Sequence, residues 1–138
     1  MPTTTDTLRA IPLFEGMTDR SIEAISQLAA PVAFDAGSTM LREGDPGDSF
    51  LIILHGSASV AQAGATIRTL GAGDFLGEVS LLDGGRRTAT VMATTDVQGL
   101  IIDRAGFQRL MDDFPVVRLD IVTALAQRLR SRSPEVTD

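Results

Sequence analysis

Cysteine, tryptophan and tyrosine are absent from the 138 residues, and histidine occurs once, as His55. Without cysteine there is neither a disulfide nor a thiolate metal ligand, which fits a reducing compartment, and the chain is read as cytoplasmic. One histidine cannot supply a clustered-histidine metal centre, a pair of haem ligands or a two-metal hydrolytic site. His55 is read as a strand-end residue before Gly56. There is no Ser-His-acid arrangement and no Walker loop, so no catalytic residue and no metal ligand is assigned, and the chain is expected not to be an enzyme. Long apolar runs are also missing. Nothing is long enough to cross a bilayer, and the start, Met1 to Asp6, lacks the charged and apolar pattern of a signal peptide. Cationic excess is missing too: 12 Lys and Arg against 18 Asp and Glu give a formal net charge of −6. Direct nucleic-acid binding needs a cationic surface to displace counterions, and this balance argues against it.

What is present is a hydrophobic fraction of 43%, enough for one compact core. Residues 1–7 are small and polar and are expected to be a flexible tail, with a single domain over 8–138. Residues 8–30 are read as helical. Thr18-Asp19 supplies an N-cap signal, and Ile22, Ile25, Leu28 and Ala29 recur at helical spacing up to Pro31. From 32 to 103 the texture changes to short β-like runs at Val32–Asp35, Thr39–Arg42, Phe50–Leu54, Ala58–Gln62, Thr66–Leu70, Arg87–Ala93 and Val97–Ile102. Turn residues separate them, as at Gly44-Asp45-Pro46-Gly47 and Gly71-Ala72-Gly73-Asp74. That cadence, with almost no helix between strands, indicates an antiparallel roll or sandwich. Helical period returns over 104–131. Phe107, Leu110 and Met111 form one face, and Leu119, Val122, Ala126 and Leu129 form the apolar side of a last helix that fades into Arg130–Pro134.

The stretch from Phe75 to Val91 carries the chemistry. Gly77 lets the backbone approach a ligand, and the N–H groups at the start of a helical turn over Glu78–Leu82 would face bound negative charge. Arg87 offers a guanidinium fork suited to two oxygens of one phosphate, and Glu78 can accept hydrogen bonds from sugar hydroxyls. A lone Glu and Arg would be read as a surface ion pair of little worth.

The unbroken order Gly77-Glu78-Val79-Ser80-Leu81-Leu82, a short loop, then Arg87-Thr88-Ala89-Thr90-Val91 resembles the phosphate-binding cassette of the cyclic-nucleotide-binding domain family. That family serves catabolite-activator-type regulators, cyclic-nucleotide-dependent kinases and gated channels. The resemblance spans about Leu13 to Leu129. It implies a mainly β fold with flanking α, an eight-stranded antiparallel, jelly-roll-like β-roll with an N-terminal helix and C-terminal helices. It gives Arg87 the exocyclic phosphate oxygens and Glu78 the ribose 2′-hydroxyl. Backbone around Gly77, Val79, Ser80 and Ala89 adds support. Val60, Ile67 and Leu70 would wall the base, although by pattern alone they are ordinary inward strand residues. Arg128 sits where a lid side chain can reach the base. Thr88 is compatible with either purine, and cAMP is placed ahead of cGMP.

The function expected from this resemblance is a cyclic-nucleotide sensor in which ligand moves the C-terminal helix. That helix could also pair two copies as a homodimer, and an effector domain or protein is unidentified. Two other readings stand beside it. One is the sensing part of a Crp-type transcription regulator without its DNA-binding domain, and the other is a structural dimerisation β-roll that binds nothing. Arg86 occupies a loop position where the family often carries proline.

Overall fold

The computed structural model describes residues 4–9, 14, 17–77, 85–116, 118–119, 122–123 and 126. These divide into two compact units, one of residues 1–26 with 108–138 and one of residues 27–107. The described elements are helices α1 (Thr4–Arg9), α2 (Asp19–Leu28) and α3 (Arg104–Asp113), and eight strands. The strands are β1 (Ala30–Phe34), β2 (Thr39–Leu41), β3 (Ser49–His55), β4 (Ala58–Gln62), β5 (Ala65–Leu70), β6 (Phe75–Leu76), β7 (Thr90–Ala93) and β8 (Val97–Asp103).

In the first unit, α2 starts where the N-cap signal places it. The Thr18 hydroxyl accepts from the Ser21 amide at 3.2 Å, satisfying one of the orphan donors of the first turn. Ile22 and Ile25 are each only 1% exposed, one helical turn apart on the apolar face. The polar stretch 1–7, expected as a loose tail, is instead helical from Thr4. Tertiary anchoring overrides its composition: Leu8 is fully buried, and Arg9 pairs with Asp19 at 2.6 Å. The described residues of 115–126 are helical. Leu119 and Val122, expected on an apolar side, are exposed there, as is Val116.

The second unit is two four-stranded antiparallel sheets, ordered β1-β8-β3-β6 and β2-β7-β4-β5. Each hydrophobic run buries because successive side chains alternate between faces. β3 buries both. Leu51 and Ile53 join Met40, Ala58, Val60, Leu70, Leu76, Val91, Ala93 and Val97 in one core drawn from both sheets. Phe50, on the opposite face, packs its ring against Phe75 and Phe107, with centroids 5.7 Å and 5.5 Å away. Phe75 stands in β6, the one strand absent from the sequence reading. Two residues long, it follows a glycine-rich turn and is held by register with Leu51 and Ile52. The run expected to start at Arg87 becomes a strand only at Thr90. Among the described residues no helix is long and apolar enough to cross a membrane.

Candidate functional site

Arg87 is the buried cation of the roll. It is 6% exposed although arginine is rarely found inside unless its donors are met. Its backbone is fastened on both sides: the Arg87 amide donates to the Asp45 carbonyl at 2.8 Å, and the Gly44 amide donates to the Arg87 carbonyl at 3.0 Å. The β2–β3 turn therefore fixes where the side chain starts. The guanidinium is aimed from its far end. Nη2 donates to Ser49 Oγ at 3.0 Å and Nη1 to the Gly77 carbonyl at 3.3 Å. Asp48 Oδ1 lies 3.9 Å from Nη2 but is 80% exposed, so this ion pair is long and solvent-screened.

Gly77 completes that contact. Its φ is +90°, and a Cβ built there would lie 2.6 Å from both Arg87 Nη1 and the Ser49 carbonyl oxygen. No L side chain adopts this conformation cheaply, and none fits the space. The glycine is therefore needed so that chain and guanidinium can touch.

Polar bonds tie the residues after Arg87 to two further loops. The Thr88 carbonyl accepts from Gln62 Nε2 at 2.9 Å, and Thr90 Oγ1 accepts from the Glu43 amide at 3.0 Å. Glu43 Oε1 in turn accepts from the Ala63 amide at 3.1 Å. Arg86 is exposed, and its Nη1 donates to the Gly44 carbonyl at 2.8 Å, so it clasps the same turn from outside. Chemically, this is a rigid frame around one always-charged, planar donor fork, suited to an anion with two adjacent oxygens.

Of the residues expected at the site, the structure brings Gly77 and Arg87 together. Ala89 is half-buried against the core, and Thr88 is exposed. Val60 and Leu70 are each 4% exposed in the core, while Ile67 is 48% exposed. The difference is one of register: Val60 pairs with Arg68 and Ala61 with Thr66, so Ile67 is passed over at a bulge. Glu78, Val79, Ser80 and Arg128 lie outside the described residues. Sequence reading missed Asp48, Ser49, Glu43 and Gln62 as partners of this segment. A turn followed by the apolar run from Phe50 was visible, but not which side chain would face the arginine.

Residues 31–114 match the cyclic nucleotide-binding domain family. The chain belongs to that family. Among its relatives, this cyclic nucleotide-binding domain is 30% identical over 131 residues to the CRP-like cAMP-activated global transcriptional regulator of Mycobacterium tuberculosis, covering 91% of this chain and 58% of that one. It is 35% identical to a cyclic nucleotide-gated potassium channel of Rhizobium etli, over 86% of this chain and 34% of the channel. It therefore spans little more than half of the first relative and about a third of the second. Solved structures agree. The Thermus thermophilus catabolite activator protein superposes with a TM-score of 0.81 at 27% identity, covering 91% of this chain and 62% of that one. The cAMP-bound PfPKA-R does so with a TM-score of 0.82 at 26% identity, covering 96% of this chain and 46% of that one. The mainly β roll with flanking helices is thus the fold of cyclic nucleotide-binding regulatory domains.

Proposed function

We propose that this domain is a non-catalytic cyclic-nucleotide sensor of the cytoplasm. The observation that supports it most directly is the buried Arg87 guanidinium against the Gly77 carbonyl, on a backbone held from both sides. In this reading Arg87 takes the exocyclic phosphate oxygens, Glu78 the ribose 2′-hydroxyl, and the main chain at Gly77, Val79, Ser80 and Ala89 adds donors. The base stacks toward Val60 and Leu70, with Ile67, Thr88 and Arg128 at the margin. The relatives' names carry cAMP, which makes cAMP the first ligand to test and cGMP the second.

Output is proposed to pass through the C-terminal helix, which ligand would shift by binding its two arrangements with different affinity. Its exposed Val116, Leu119 and Val122 suit a homodimer or an effector surface. The first relative is a transcription regulator that extends beyond the length matched here, so a sensing half of a Crp-type regulator is the second reading.

Calorimetric titration of the wild type and Arg87→Ala with cAMP, cGMP and linear AMP tests the proposal. Binding of a cyclic nucleotide by the wild type, at least roughly thirtyfold weaker in Arg87→Ala, is expected because breaking a desolvated charge pair costs about 2–5 kcal/mol. Equal affinity for linear and cyclic AMP, or none for any of the three, refutes it.

A further inference from the structure

The main chain around Arg87 is anchored from two flanks. On one, Asp45 and Gly44 of the β2–β3 turn hold the Arg87 amide and carbonyl, main chain to main chain. On the other the anchor is a side chain: Gln62, at the end of β4, donates from Nε2 to the Thr88 carbonyl at 2.9 Å. Gln62 is itself held in place. Ala63 and Gly64, at φ +50° and +83°, make the two-residue turn between Gln62 and its pairing partner Ala65. Ala63 is the one non-glycine residue with positive φ among the described residues, in a conformation that disfavours a Cβ. Glu43 Oε1 accepts from its amide at 3.1 Å and keeps it there.

Satisfying a carbonyl does not explain this arrangement. Gln62 and Thr88 are both exposed, so water would serve the Thr88 carbonyl as well. Ordering a long glutamine side chain for that purpose alone costs rotamer entropy and gains little. What water cannot do is fix the plane of the Thr88–Ala89 peptide.

No peptide bond is cis among the described residues, and in a trans unit the carbonyl and the N–H point in opposite directions. Gln62 draws the Thr88 carbonyl to the β4 side of the segment that leads into β7. The Ala89 N–H is thereby turned to the other side, where β2 and its turn hold Arg87. We propose that Gln62 is a positioning residue for nucleotide capture, aiming the Ala89 amide at one exocyclic oxygen of the phosphate. The inference rests on the proposed reading that the main chain at Ala89 is a phosphate donor. A flipped peptide would present the Thr88 carbonyl instead, and a carbonyl repels an anion. Gln62 holds the donor outward before the ligand arrives, so that binding does not bear the cost of turning it.

The test is calorimetry on the full chain with cAMP and its Sp and Rp phosphorothioates, each of which replaces one exocyclic oxygen by sulfur. Wild type, Gln62→Met and Gln62→Glu are compared. Methionine keeps the length of the side chain without its donor, and cAMP should bind about two- to tenfold more weakly. One diastereomer should show the same loss. The other, with sulfur where the Ala89 amide points, should lose little further, because sulfur is already a weak acceptor there. Gln62→Glu sets an acceptor against the Thr88 carbonyl and carries the test if Gln62→Met fails to fold. Its added charge falls on all three ligands alike, so the difference between diastereomers remains the readout. Unchanged cAMP affinity in both variants, or one equal loss for cAMP and both diastereomers, overturns the inference while leaving cyclic-nucleotide binding in place. A wild type that binds none of the three sinks the sensor reading itself, and the role of Gln62 with it.

Discussion

Replacing Gly77 with alanine separates backbone strain from contact. Two glycines of the second unit have nearly the same φ: Gly77 at +90° and Gly64 at +83°. A Cβ at Gly64 would meet nothing within 4 Å, so Gly64→Ala carries strain alone, about 1–2 kcal/mol. At Gly77 the same strain is joined by two contacts of 2.6 Å, to the Ser49 carbonyl oxygen and Arg87 Nη1. Overpacking of that kind adds about 1–3 kcal/mol. For a domain of this size each kcal/mol lowers Tm by roughly 3–5 °C, so Gly77→Ala should melt about 3–15 °C below Gly64→Ala. The two contacts do not yield equally. The Ser49 carbonyl belongs to β3, whereas Nη1 ends a flexible side chain and is the atom that moves. Gly77→Ala should therefore also lose cyclic-nucleotide affinity while Gly64→Ala keeps it. Thermal melts paired with calorimetry on both variants read the two effects. Equal Tm values together with equal affinities would refute the reasoning.

Other outcomes follow from the same contacts. Arg87→Lys should remain well below wild-type affinity in the Arg87→Ala titration, because an ammonium cannot span Ser49 Oγ, the Gly77 carbonyl and two phosphate oxygens as a planar fork does. Ser49→Ala removes one acceptor of a buried charged donor and should cost about 1.5–3 kcal/mol in denaturant unfolding, with a smaller loss of ligand affinity than Arg87→Ala. Unchanged unfolding would show that Ser49 is incidental. Thr18→Ala should lower stability by about 1 kcal/mol through loss of the α2 cap, with no change in ligand titration.

How far the sequence could be read depended on whether local pattern or distant pairing set the outcome. The β3 run declares itself through five consecutive apolar residues, Phe50 to Leu54, and α2 through Thr18 and the Ile22–Ile25 spacing. β6 has no pattern of its own, since Phe75 and Leu76 become a strand only when Leu51 and Ile52 lie beside them. The same limit applied at the site. Arg87 stood out because its neighbours in sequence form a recognisable cassette, but Ser49 became its partner only through folding. Ile67 and Arg68 show the sharpest case. Alternation alone cannot locate a bulge, and one unpaired residue decided which of the two faces the core.

The polar ring through Glu43, Ala63, Gln62 and Thr88 has a practical consequence. Because the β4–β5 tip is bonded to the residue after Arg87, any displacement of the cassette exit should be felt at the tip. The chain has neither a native thiol nor an indole or phenol to interfere. A single cysteine introduced as Ala65→Cys, at an exposed position paired with Gln62, would carry a dye that reports nucleotide capture optically from outside the pocket.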